Sequence, residues 1–214
     1  MANYLPMMKQ RKFSVLIIPN KTTDCLFRFA LMILFTAACL GSLDHVCADP
    51  LDVKLVQCWS CHGEAGRSSD SSIPVIWGQN ASYIVKQLSD YREGTRDSQI
   101  MSSMAESIAR DLMPELAARI EQRSWPALSN ASSSMPSSAS LQTCMTCHGD
   151  DLKGAASPIG YAPRLAGQNE AYLVDQMQAF NGGVRSNQAA MTNLMQNLGL
   201  DEQKKLAHEI SQLP

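Results

Sequence analysis

Between residues 81 and 91 the apolar positions are Ala81, Ile84, Val85, Leu88 and Tyr91, the spacing of a helix with one buried face. Leu173, Val174, Met177 and Phe180 repeat that spacing further along the chain. Leu116, Ala117 and Ile120 mark a final helix in the first half, and Leu206, Ala207 and Ile210 mark one in the second. Asn80 and Asn169 stand where N-caps belong, and Gly94 and the Gly182–Gly183 pair stand where helices should stop. Asp111 is the expected cap of the helix through Leu116, which puts Pro114 in its first turn, where a missing N–H does little harm. No convincing period-two alternation occurs, so the predicted fold class is all-α, without a sheet.

The N-terminal pattern is different. Residues 1–28 are polar and basic, carrying Lys9, Arg11, Lys12, Lys21 and Arg28, and the run Phe29–Leu43 is apolar. Val46 and Ala48 then place small residues where a signal peptidase cuts. Residues 1–48 read as a cleavable signal peptide, which predicts export to the periplasm. The apolar run falls short of the ~20 residues of a spanning helix, and an uncleaved membrane anchor is the alternative. Three of the seven cysteines, Cys25, Cys39 and Cys47, lie in this presequence, so cleavage leaves four. Beyond Ala48 the chain carries 13 Lys and Arg against 18 Asp and Glu, a net charge of −5 that argues against a nucleic-acid partner.

The remaining chain repeats itself. Gly78, Gln79, Asn80, Tyr83, Gln87 and Arg96 match Gly167, Gln168, Asn169, Tyr172, Gln176 and Arg185, all at a shift of 89. Between the copies lies "SNASSSMPSSAS", residues 129–140, with seven serines in twelve positions and no apolar period. The expected organisation is therefore one domain over 49–128, a Ser-rich linker over 129–140, and a second domain over 141–214. The linker leaves little room before the second cysteine pair, so the helix expected there is about one turn long. Lobes below ~80 residues usually need disulfides, a metal or a large cofactor to hold a fold.

All four remaining cysteines belong to two C-x-x-C-H patterns, "CWSCH" at 58–62 and "CMTCH" at 144–148. On a helical turn Cys58, Cys61 and His62 share one face, as do Cys144, Cys147 and His148. Two thiols at this spacing can add to the two vinyl groups of one haem, with the following histidine beneath the iron. A thioredoxin-like dithiol expects a mixed α/β chain, and a Cys₄ zinc site does not explain a histidine after each pair. Two covalently bound haem c groups are therefore the cofactor reading.

The iron needs a sixth ligand. Met101 and Met191 occupy the same place in the two copies, as do Met104 and, one residue out of register, Met195. His45 lies in the presequence, and His208 faces Ala118 in the repeat, which marks it as a surface residue and leaves too few histidines for bis-His ligation in both halves. A thioether stabilises ferrous iron and raises the potential.

These features, with "PVIWGQ" and "PRLAGQ" and with "IMSSMA" and "AMTNLM", make the chain resemble the dihaem cytochromes c4 over nearly all of its length beyond the presequence. The resemblance implies two tandem class I cytochrome c domains, each wrapped around a covalent haem. It implies Met101 and Met191 as iron ligands, with His62 and His148 on the opposite side, and carbonyls of Pro74 and Pro163 as hydrogen-bond acceptors for those histidines. Trp77 departs from it, standing where a small residue is usual, so different packing is expected near the first haem edge. The function implied is a periplasmic single-electron carrier, not an enzyme, between redox proteins such as a quinol-oxidising complex and a terminal oxidase or reductase. The alternative is the electron-accepting subunit of a flavocytochrome c-type dehydrogenase, with a flavoprotein partner. A pyridine haemochrome assay will report two c-type haems per chain; one haem would remove the two-lobe reading.

Overall fold

In a computed structural model, residues 49–129, 138–157 and 160–214 are described. The apolar run 29–43, the expected cut after Ala48 and most of the Ser-rich stretch lie outside the described residues.

The first lobe is built from α1 (Pro50–His62), α2 (Ala81–Glu93), α3 (Gln99–Glu106) and α4 (Met113–Glu121). Asp49 starts α1: its carboxylate accepts from the Leu51 N–H at 2.9 Å, with Pro50 following at the head of the helix. Arg119 on α4 holds that start in place, donating to Asp49 at 2.6 Å, to Asp52 at 2.9 Å and to Glu115 at 2.9 Å. Asn80 caps α2 through the Tyr83 N–H at 3.0 Å, and Gly94 ends it in the left-handed conformation, both as the sequence predicts. Leu51, Leu55, Ile84, Leu88, Ile108 and Leu116 form the heart of this lobe's core. Asp111 is not the cap of α4. A 3₁₀ turn, Arg110–Leu112, runs straight into the helix and buries Met113, so Asp111 lies within that turn and Leu112 takes the cap position without a side-chain bond.

The second lobe repeats the plan with α5 (Ala139–His148), α6 (Glu170–Asn181), α7 (Ala189–Gln196) and α8 (Leu200–Ser211). Its core gathers Leu141, Leu173, Met177, Phe180, Leu206 and Ile210. The expectation of a single turn before the second C-x-x-C-H is wrong: α5 has ten residues. Ser138, from the serine-rich stretch itself, accepts from the Leu141 N–H at 3.3 Å, and Leu141 is fully buried. The serines cap a helix that one apolar anchor then docks.

The expectation of no sheet is also corrected. A short antiparallel hairpin pairs β1 (Ala155–Ser157) with β2 (Gly160–Ala162), with Ala155 opposite Ala162. Strands of three residues, Ala-Ala-Ser and Gly-Tyr-Ala, are too short to leave a period to read. The hairpin accounts for the repeat's change of register. The cysteine patterns are 86 residues apart and the later motifs 89, so three extra residues enter the second lobe between His148 and Gly167.

The two lobes belong to one compact unit. The seam between them is made by the repeated polar residues, used reciprocally. Gln79 accepts from the Arg164 N–H at 2.9 Å and donates to the Arg164 carbonyl at 3.0 Å. Gln168 does the same with Val75, at 2.8 and 2.9 Å. Each glutamine thus pairs with the other lobe's backbone like an added strand residue, and residue 164 is the counterpart of residue 75. Gly78 and Gly167, just before them, have φ of 70° and 72° and donate to the last helix of their own lobe. A Cβ at either would meet a carbonyl oxygen just past that helix, at 2.9 Å from Arg123 and 3.0 Å from Leu213. Asn169 breaks the symmetry. It makes no cap bond; its amide accepts from Arg67 at 2.6 Å and donates to the Ile73 carbonyl at 2.6 Å. The charged guanidinium outcompetes a backbone N–H for that oxygen.

Gln79 and Gln168 are 3% and 4% exposed, so truncating either strands buried backbone groups of the opposite lobe. Gln168→Ala should therefore destabilise the fold by roughly 1–3 kcal/mol, read as a lower urea midpoint, with a similar loss for Gln79→Ala.

Candidate functional site

Cys58, Cys61 and His62 lie on the last turn of α1, and Cys144, Cys147 and His148 on the last turn of α5. Each trio shares a helix face because positions i, i+3 and i+4 do. The imidazoles are fixed by one bond each. His62 Nδ1 lies 2.8 Å from the Pro74 carbonyl oxygen, and His148 Nδ1 lies 2.8 Å from that of Pro163. A carbonyl only accepts, so Nδ1 carries the proton and Nε2 presents its lone pair. Burial lowers both imidazole pKa values, against a smaller opposing pull from the proline carbonyls, and keeps the rings neutral. The His148–Pro163 spacing is three residues longer than His62–Pro74, yet the bond length is the same. The hairpin takes up the difference.

Burial pushes the Cys58 and Cys144 thiols up to about 11, so both are protonated at neutral pH. All four thiols are free of disulfides. Among the described residues no group of three or more His, Cys, Asp or Glu side chains is placed to hold a metal ion.

Both trios open onto one continuous cavity of about 620 Å³. Its walls are largely apolar, with Ile84, Leu88, Leu116, Leu173, Met177 and Leu194 among them. Met101 and Met191 both line it. Met104 lines it too, whereas Met195 is buried in the second core and is not among the lining residues. Ser98 sets the start of α3 by accepting from the Met101 N–H at 3.3 Å. His208 is exposed and bonded to Glu170 at 2.8 Å, a surface residue as the sequence predicts. Trp77 is not on the cavity wall. Its ring packs edge-on against Trp59, centroids 5.1 Å apart, and Arg123 lies over both.

The polar part of the wall was not foreseen. Arg96 donates to its own lobe's Gln87 at 2.7 Å, and across the seam to Gln176 at 2.8 Å and the Tyr172 hydroxyl at 3.0 Å. Arg185 mirrors it: 2.7 Å to its own Gln176, 2.9 Å to Gln87 and 3.2 Å to the Tyr83 hydroxyl. Each guanidinium also stacks on an aromatic ring of its own lobe, Arg96 on Tyr91 at 4.5 Å and Arg185 on Phe180 at 4.4 Å. The side chains form a closed ring, Arg96–Gln87–Arg185–Gln176. Burial alone would lower the Arg96 pKa, but its tyrosine neighbours more than reverse this, and the group stays charged. Burial would likewise raise the Tyr172 phenol, and the charges of Arg96 and Arg185 bring it below its ordinary value. The signal was available, since the periodicity of α2 puts Gln87 on the same face as Ile84, Leu88 and Tyr91. A buried glutamine amid apolar neighbours points to a partner.

These residues fit a pair of covalent haems. The paired thiols, an imidazole lone pair over each and apolar walls suit the porphyrin. The two buried guanidiniums hydrogen-bond to neutral side-chain oxygens, and haem carboxylates would supply the missing counter-charge.

No family model matches the chain. Relatives and solved structures do. A cytochrome c4 of Thiocapsa roseopersicina is 30% identical over 140 residues, 61% of this chain and 72% of the relative. A thiosulfate dehydrogenase electron acceptor of Stutzerimonas stutzeri (strain A1501) is 31% identical over 144 residues, 61% of this chain and 65% of the relative. The solved cytochrome c4 of Acidithiobacillus ferrooxidans superposes with a TM-score of 0.61 at 28% identity, covering 74% of this chain and 99% of that one. A thiosulfate dehydrogenase of Marichromatium purpuratum superposes with a TM-score of 0.62 at 25% identity, covering 73% of this chain but only 36% of that one. Taken with the doubled cysteine–histidine helices around one shared cavity, the likeness in sequence and in fold places this chain in the cytochrome c4 family.

Proposed function

We propose that the chain is a periplasmic shuttle that takes single electrons from a respiratory donor and passes them to an oxidase or reductase. As a member of the cytochrome c4 family it carries two covalently bound haem c groups and transfers electrons rather than turning over a substrate. The periplasmic location rests on the presequence; among the described residues no helix is long and apolar enough to cross a membrane.

Bound haem supplies an iron that cycles between the ferric and ferrous states. Cys58 and Cys61 hold one group and Cys144 and Cys147 the other, as thioethers. His62 and His148 donate through Nε2, and the proline carbonyls fix ring orientation and raise ligand basicity. Met101 and Met191, both on the cavity wall, would supply the second iron ligand, and a soft thioether there would favour the ferrous state. Held by a histidine and a methionine, the iron would exchange electrons and offer no open position to a substrate. Apolar walls keep water off the metal and limit the rearrangement each electron demands. Arg96 and Arg185, buried at the seam, would pair with the haem carboxylates.

The observation that carries this reading is the doubled histidine–proline bond, 2.8 Å in each lobe, facing one shared cavity. A second reading, an electron-accepting subunit of a dehydrogenase, is favoured by the relative named as an electron acceptor for thiosulfate dehydrogenase. The two part on co-purification. A stoichiometric dehydrogenase subunit, flavin-bearing or not, would select the second; a chain isolated alone that exchanges electrons with an oxidase supports the first.

Replacing Met101 or Met191 with Ala should turn one haem high-spin or lower its potential, while the other keeps its spectrum. If neither substitution changes either haem, these two methionines are not the ligands.

A further inference from the structure

The helices that carry Met101 and Met191, α3 and α7, have eight residues each, too few to hold a position by their own hydrogen bonds. Both end in the same turn. The Ile108 N–H donates to the Ala105 carbonyl at 3.3 Å, and the Leu198 N–H to the Met195 carbonyl at 3.2 Å. At the shift of 90 that pairs Met101 with Met191, these are the same two positions in the two lobes. A side chain from a neighbouring helix binds that turn in each lobe, and it is not the same side chain. In lobe one Arg92, near the end of α2, donates to the Ile108 carbonyl at 2.6 Å and, at 3.5 Å, to that of Ala105. In lobe two Gln203, on α8, donates to the Leu198 carbonyl at 2.7 Å and to the Met195 carbonyl at 3.1 Å. The repeat puts Asn181 in the place of Arg92 and Met113 in the place of Gln203, so neither donor has a copy in the other lobe.

Packing does not account for Gln203. It is fully buried, its Oε1 has no partner among the described residues, and an unpaired buried acceptor costs stability. Met113 fills the same place in lobe one, also buried, without that cost. What the glutamine adds is an amide donor where the helix leaves its last carbonyls open. The Arg92 guanidinium does the same with charge-assisted bonds at the negative end of the helix dipole. We infer that Arg92 and Gln203 are equivalent positioning residues: each anchors the end of the short helix that presents its lobe's methionine, and so keeps the thioether on the iron. The inference rests on the carrier reading, with Met101 and Met191 as ligands. Neither Arg92 nor Gln203 is among the residues lining the cavity, so each acts through its helix and not on the metal. Without the anchor the turn frays, the methionine leaves the iron more often, and an outside ligand finds the position open.

The test uses the intact dihaem protein in the ferric state, with imidazole as the competing ligand. Gln203→Met, which gives lobe two the residue that lobe one carries, should let one haem take imidazole at a several-fold lower concentration than in the parent protein. Arg92→Leu should do the same at the other haem, and Arg92→Lys, which keeps the charge but not the fork of donors, should fall between. The shifted methyl resonance of each bound methionine, assigned by its loss in Met101→Ala and Met191→Ala, shows which lobe has opened. If Gln203→Met does not fold, the two Arg92 variants decide. Unchanged imidazole affinity at the haem of the altered lobe, or an equal rise at both haems, would overturn the anchor, even if the urea midpoint fell. That result leaves the carrier reading intact where the parent protein shows a bound methionine methyl for each haem. A parent protein with no such resonance overturns the methionine ligands and the anchor with them.

Discussion

One carbonyl oxygen per lobe holds the imidazole on which the site depends. The Pro74 and Pro163 oxygens take the Nδ1 protons of His62 and His148 at 2.8 Å, and that single bond fixes tautomer, ring orientation and basicity together. The rest of each lobe can be understood as what keeps the bond in register. Arg119 pins the start of α1 so that its last turn points inward. Leu141, fully buried, does for α5 what Leu51 and Leu55 do for α1. The hairpin absorbs three extra residues in lobe two without stretching the bond. A small lobe with so large a cavity has little apolar contact of its own to spare, and a covalent porphyrin turns that cavity into core.

The seam shows why the sequence repeats where it does. Gly, Gln, Asn, Tyr, Gln and Arg recur at a shift of 89, and most of them meet their counterparts' surroundings across the boundary. Gln79 and Gln168 clasp opposite backbones; Arg96 and Arg185 each reach the other lobe's Gln and Tyr. This is the geometry of an isologous contact, in which residue i meets j and j meets i. A change on one side would leave buried donors unpaired on the other, so both copies of the motif have a physical reason to be alike. The symmetry fails only locally. Ser98 caps α3, whereas Gln188 takes the cap position of α7 and the neighbouring Asn187 donates to the buried Asp90 at 2.6 Å.

The cysteine–histidine patterns, the two-lobe plan and the buried faces of the helices were legible because they depend on spacing alone. Ile84, Leu88, Leu173, Met177 and Phe180 are buried as their period requires. What could not be read depends on contacts between distant segments. Asn169 has the sequence context of a cap, but Arg67, 102 residues away, claims its side chain. Asp111 gave way to a 3₁₀ turn because burying Met113 fixes where α4 begins. The serine run looked like linker to its end, and only Leu141 docking beneath it makes the last serines a helix start. The Arg96–Gln87–Arg185–Gln176 ring was hidden for the same reason: its members were visible as a repeat, but their partners lie in the other lobe.

The claim that each lobe holds a haem clamped on both axial faces is tested most directly by a redox titration followed by near-infrared magnetic circular dichroism. Two separate one-electron waves, each with the ferric charge-transfer band of histidine–methionine ligation, are the predicted result. A single wave accounting for one electron per chain, or a high-spin or bis-histidine signature at either iron, would contradict it.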